Sequence, residues 1–168
     1  MGDSLATYLN DHLAGSHFAI EMLEFLRDRH PGKALGGIAE EMLAEVEEDR
    51  NTLQKISERA GAGVPVMKEA AAWVSEKVSR FKLGQGDFGT FLALEALALG
   101  ILGKRALWQA LAVIADADDR LQGVDYARLI RRAESQYSRA EQLRRQAARA
   151  GLAPEPTSRK SVEPGHRT

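Results

Sequence analysis

The stretch Phe91-Leu-Ala-Leu-Glu-Ala-Leu-Ala-Leu-Gly-Ile-Leu-Gly103 holds one polar side chain, Glu95, and runs directly into Lys104 and Arg105. A helix that crosses a membrane needs about 20 apolar residues. An apolar run of 13 bounded by charge therefore reads as the core helix of a helical bundle. Ala96, Gly100, Gly103 and Ala106 let neighbouring helices approach closely, so this helix is expected to be the most buried element. The remaining chain must supply the helices that surround it.

The punctuation on either side defines those helices. Asp3 or Ser4 can cap a first helix over residues 5–29, which stops at His30-Pro31-Gly32. A second helix over 34–59 ends at Gly61-Ala62-Gly63, with Pro65 beyond it. Its short link to the first makes the two antiparallel. A shorter third helix is expected over 66–83. Asp87 then caps the core helix over 88–116, and a fifth helix spans 125–150, closed by Gly151. Residues 152–168 hold three of the five prolines and few apolar side chains, so they read as a disordered tail after a single domain over 1–151. No stretch alternates with the period of a strand. The fold class is all-α: an up-and-down four-helix bundle with an additional crossover helix.

The chain has no cysteine, which excludes zinc-thiolate, iron–sulfur and cysteine-nucleophile chemistry, and its formal charge is −1. That balance removes the simplest electrostatic case for nucleic acid or an anionic membrane as partner. Met1-Gly-Asp-Ser-Leu-Ala-Thr7 has no basic region ahead of an apolar one, so a cytoplasmic location is expected. Within residues 34–60 seven acidic side chains stand against three basic, and within 124–150 three acidic stand against seven basic. These flanks are expected to face each other and set the pairing of the second and fifth helices.

Four long helices, with a shorter one after the second that brings the chain back along the bundle, is the wiring of a ferritin-like fold. Over residues 3–150 the chain resembles that superfamily in helix length and order. Glu45-Val-Glu-Glu-Asp-Arg50 and Gly103-Lys-Arg-Ala-Leu-Trp108 resemble stretches of small bacterial ferritin-like proteins that lack the di-iron motif. A di-iron or di-manganese centre of this superfamily needs Glu-x-x-His on two helices. The residues three before the four histidines are Leu9, Ala14, Arg27 and Glu163, and Glu163-Pro-Gly-His166 sits in the proline-rich tail. No bundle helix carries the motif.

Helical phase points to four interior polar groups. At 100° per residue the inward line of the first helix passes through Leu5, Leu9, Leu13, Ser16, Ile20 and Leu23, with His12 close to it. On the second helix Asp49 falls on the line of Met42, Val46, Leu53 and Ile56. Glu95 and Arg144 take corresponding positions on the fourth and fifth. Counted from the helix ends at 1.5 Å per residue, they sort into two layers about 12 Å apart, His12 with Asp49 and Glu95 with Arg144. Each is expected to be an interior acid–base pair that fixes register. The competing reading is a degenerate carboxylate–histidine metal site for iron, manganese or zinc at His12, Glu45 and Asp49, helped by His17.

A second apolar stripe on the first helix contains Phe18, Met22 and Phe25. It is expected to be covered by the helix over 66–83, which carries Trp73, or by a second copy of the chain. Trp108 is expected in the core or in such an interface. The sequence thus points to a non-catalytic bundle with no cofactor and a role in self-association, as a homodimer, or in protein binding. The alternative is a metal-binding oxidoreductase or storage protein.

Overall fold

A computed structural model describes residues 3–62 and 86–153, and every regular element among them is helical. Helix α1 spans Ser4–Arg29, α2 Ala34–Arg59, α3 Gly86–Ile114 and α4 Tyr126–Gly151. Two single 3-10 turns, Ala115–Ala117 and Asp119–Leu121, join α3 to α4. The expected helix over 66–83 with Trp73, and the tail from residue 154 with Glu163 and His166, lie outside the described residues.

The ends follow local chemistry. Asp3 Oδ1 accepts from the Leu5 amide at 3.0 Å, and Asp125 Oδ1 from the Arg128 amide at 2.9 Å, so each carboxylate satisfies a backbone donor left open at a helix start. Asp87, expected as a cap, lies inside the first turn of α3, where its charge still complements the helix dipole. Between α1 and α2 the chain reverses through Gly32 at φ +69°.

Cross-links at the two ends fix the direction of each helix. His30 Nε2, at the end of α1, lies 3.1 Å from Thr90 Oγ1 near the start of α3. At the other end Arg59 donates to the Gln122 carbonyl at 3.0 Å, and Arg120 of the same connection pairs with Asp3. Helices α1 and α4 therefore run one way and α2 and α3 the other. α2 and α3 are parallel, and α3 begins at the end of the bundle opposite to where α2 stops. α1 packs on α2 and α3, and α4 packs on α3 and, more distantly, on α2.

The core combines Leu9, Leu13, Leu23 and Leu26 with Met42, Val46 and Ile56, and with Leu97, Ile101 and Trp108. Met22, expected on a separate stripe, is fully buried in this core because the inward arc of α1 is broad enough to take in both apolar lines. Trp108 is also fully buried within the chain. Phe18 and Phe25 are partly buried against the core, with the Arg29 guanidinium 5.6 Å from the Phe25 ring centre.

As expected, α3 is the most buried of the described helices, although its outer face is open. It contributes more buried residues than any other described helix, yet Leu99 is 65% exposed and Val113 84%. Its apolar character also continues beyond residue 103: among the described residues, 86–117 is long and apolar enough to cross a membrane by length and composition alone. Lys104 on its inner side is held by an ion pair from α2.

Candidate functional site

The polar centre of the bundle is built on Asp49, which is 1% exposed. Its partner comes from α3: Lys104 Nζ donates to Asp49 Oδ2 at 2.6 Å and to Gln136 Oε1 of α4, itself fully buried. Gln136 Nε2 then donates to Glu45 Oε2 at 2.9 Å, and Arg139 donates to the same oxygen. Arg132 grips Glu48 with two bonds of 2.7 and 2.8 Å, and its Nε lies 3.4 Å from Asp49 Oδ1. The acidic flank of α2 thus meets the basic flank of α4, and one ammonium from α3 closes the network. Burial pushes the Lys104 pKa down, opposed by the nearby Asp49 carboxylate.

His12 and Asp49 do not form the expected pair. Both line one cavity, but the carboxylate turns away towards Lys104 and Arg132, which offer full charge and shorter reach. The His12 ring instead meets Tyr8 edge-on, with centres 4.7 Å apart, and burial lowers its pKa. His17 Nε2 bonds Arg50 Nη2 at 2.8 Å, so burial and the adjacent guanidinium both hold it towards the neutral form. Of the four groups in the competing metal reading, Glu45, Asp49 and His17 are each bound to a cationic side chain of this chain. Among the described residues no three His, Asp or Glu side chains converge as a metal site.

Glu95 and Arg144 do meet, at 3.1 Å, but not in the interior. Their side chains are 43% and 28% exposed, because Glu95 shares the outward flank of α3 with Leu99. Arg144 is shared with Glu141 at 2.7 Å. Breaking this surface pair is expected to cost less than about 1 kcal/mol.

The sequence expectations do not single out Lys104 or Gln136, whereas Arg132 and Arg139 fall within the basic flank over 124–150 that is expected to face α2. A signal for the first two exists. Lys104 lies on the buried seam of Leu97, Ile101 and Trp108 at spacings of four, three and four, and Gln136 on that of Leu129, Ala133 and Ala140. A polar residue on an otherwise buried seam requires a partner at the same level. Asp49, about 15 residues into α2, and Gln136, about 15 from the end of α4, are at that level.

Beside the network, residues of α1, α2 and α3 line an open pocket of about 240 Å³. Its described walls include His12, Gly15, Ala19, Gly100 and Lys104, with Val46, Leu53, Leu107 and Trp108 almost wholly buried behind them.

The exposed ion pairs make stability depend on acid. The two Arg132 bonds, followed by the charges of Arg132 and Arg128, hold the Glu48 pKa at about 2 against an ordinary 4.5. Arg120 lowers Asp3 and Asp118 in the same way, and Arg144 lowers Glu141. A depressed carboxylate stabilises the fold above its unfolded pKa and loses that contribution as pH falls through its folded value. The urea midpoint is therefore expected to fall between about pH 4.5 and 2. The slope should be shallower in 1 M salt, since Glu48 is 55% exposed and screened. A midpoint that stays flat over this range would contradict the assignment.

Fold and centre together define an all-helical protein whose one buried carboxylate among the described residues, Asp49, is neutralised by cations of the same chain. No family model, curated protein or solved structure matches the chain.

Proposed function

We propose that the chain is a non-catalytic ferritin-like bundle that acts by self-association, with an internal cation in place of a metal centre. The Lys104 ammonium lodged between Asp49 and Gln136 carries this reading, because it supplies the positive charge that the buried Asp49 carboxylate would otherwise take from a metal. Parallel α2 and α3 support the ferritin-like wiring. The outward face of α3 supports a second copy as partner. Its exposed Leu99 and Val113 alternate with Gly103, Ala106 and Ala110, so an antiparallel crossing near Gly103 sets the Leu99 of each copy against the Ala106 of the other.

Light scattering is expected to give twice the 18.4 kDa chain mass, and Leu99→Glu to give the single mass without loss of helix content. A wild-type protein of single mass at high concentration would refute the self-association. Metal analysis is expected to find no stoichiometric metal. Iron, manganese or zinc at one or two per chain, lost on His12→Ala, would favour the oxidoreductase or storage reading instead.

A further inference from the structure

His12 and His17 lie on α1 and His30 at its end, and each meets its neighbour differently. The His12 ring stands edge-on to Tyr8, an aromatic contact that asks nothing of its ring nitrogens. His30 Nε2 lies against the Thr90 hydroxyl, which can donate or accept, so that link is open to either charge state of the ring. His17 is different. Its Nε2 faces Arg50 Nη2 at 2.8 Å, and a guanidinium only donates, so the bond exists only while the imidazole is neutral with its proton on Nδ1. Arg50 depends on that one bond. It makes no ion pair among the described residues, and its Nε is buried without an acceptor. A second partner for His17 stands on its own helix: Glu21 is four residues further along α1, the spacing at which side chains of one helix meet. Burial lowers the His17 pKa, the Arg50 charge lowers it further, and the Glu21 charge opposes both. α3, the other helix packed on α1, brings Lys104 to the neighbouring pocket, where Asp49 holds it.

We propose that His17 is a pH-operated latch between α1 and α2, closed on Arg50 when the ring is neutral and transferred to Glu21 when it is protonated. One proton taken up on Nε2 turns the acceptor into a donor, and two cationic donors then face each other at hydrogen-bond distance. They must part. The imidazolium turns to the Glu21 carboxylate and gains a charge-assisted bond within α1, while Arg50 loses its acceptor and the α1–α2 contact loosens at that level. The direction follows from linkage. The folded pKa of His17 lies below the ordinary 6.5, so the latch contributes its stability above that value and loses it as pH falls from there through the folded value. Glu48 and the other surface carboxylates titrate lower, below 4.5, so the two acid effects are separable. The latch works within a single chain and does not depend on α3 packing against a second copy.

The test follows the histidine ring nitrogens of the full chain by NMR from about pH 8 to about pH 5, a range that brackets the ordinary histidine value, with urea denaturation at both ends. At the upper end His17 is expected as the Nδ1–H tautomer. Its pKa is expected to rise in Arg50→Met, which removes the cation that favours the neutral ring, and to fall in Glu21→Gln, which removes the carboxylate that receives the charged one. The wild-type urea midpoint should be lower at the acid end. His17→Gln, whose carbonyl still accepts from Arg50 but takes up no proton, should lose part of that difference. Arg50→Met should lose a similar part, and the double variant no more than either alone. Amide exchange in the middle of α1, corrected for the intrinsic rate, should speed up on acidification in wild type and not in His17→Gln. An Nε2–H tautomer at the upper end, a His17 pKa unmoved by both Arg50→Met and Glu21→Gln, or the same pH dependence in wild type and His17→Gln would each overturn the proposal.

Discussion

Replacing Lys104 by Met is expected to destabilise the protein by about 3 to 5 kcal/mol, the largest loss of any single side-chain change in the polar centre. The aliphatic part of the side chain is preserved, so the loss is electrostatic. Asp49 remains 1% exposed with Arg132 Nε at 3.4 Å as its closest cation, and Gln136 Oε1 loses its donor. Asp49→Leu alone is expected to cost a comparable amount, because it strands the Lys104 ammonium. In the double variant Asp49→Leu/Lys104→Met both charges are gone, and the loss should fall well below the sum of the two single losses. The residual is the unpaired Gln136 carbonyl, about 1 kcal/mol. Urea denaturation of the four proteins closes the cycle. The coupling should persist in 1 M salt, since a buried pair is little screened, in contrast to the acid-sensitive pairs on the surface. Additive losses would show that Lys104 and Asp49 do not depend on each other.

The same pair shows what a sequence can and cannot disclose about such a bundle. Asp49 is legible as an inward acid because α2 is amphipathic, and the surrounding Met42, Val46, Leu53 and Ile56 define its inner line without ambiguity. Asp3, Asp125 and Gly32 are legible for a related reason, since capping and turn chemistry depend only on neighbours in the chain. α3 offers no such frame. Leu92, Leu94, Leu97 and Leu99 surround the helix, so periodicity alone does not say that Leu97 is buried and Leu99 exposed, nor that Glu95 lies on the outward flank. Lys104 then reads as the end of an apolar run, although three buried residues share its seam. His12 is half-buried beside the inner line of α1, and its partner is Tyr8 rather than Asp49. Phase and level bring His12 and Asp49 to one cavity, but the direction a carboxylate takes is settled by which cations are nearest, and Lys104 and Arg132 come from helices whose rotation the sequence leaves open.

Gly36→Ala and Gly37→Ala, one residue apart, are expected to change stability in opposite directions. Both lie in the first turns of α2, where alanine is favoured over glycine by about 1 kcal/mol on intrinsic grounds. Gly37 is exposed, and a Cβ there meets nothing within 4 Å, so Gly37→Ala should stabilise by about 0.5 to 1 kcal/mol. Gly36 is buried against the end of α1. A Cβ at that position would lie 2.2 Å from the His30 carbonyl oxygen and 3.0 Å from its carbon. The obstacle is backbone, and it is already committed: the His30 carbonyl accepts from the Lys33 amide at 3.2 Å within the Pro31-Gly32 reversal. Relief requires moving the first turn of α2 off α1, which loosens Leu26 and Ala39 together with the His30–Thr90 link to α3. The expected loss is about 3 kcal/mol, near the upper end for an overpacked site. Chemical denaturation of the two variants beside wild type gives both signs in one experiment. A Gly36→Ala protein as stable as Gly37→Ala would show that the α1–α2 turn has room for a Cβ at residue 36.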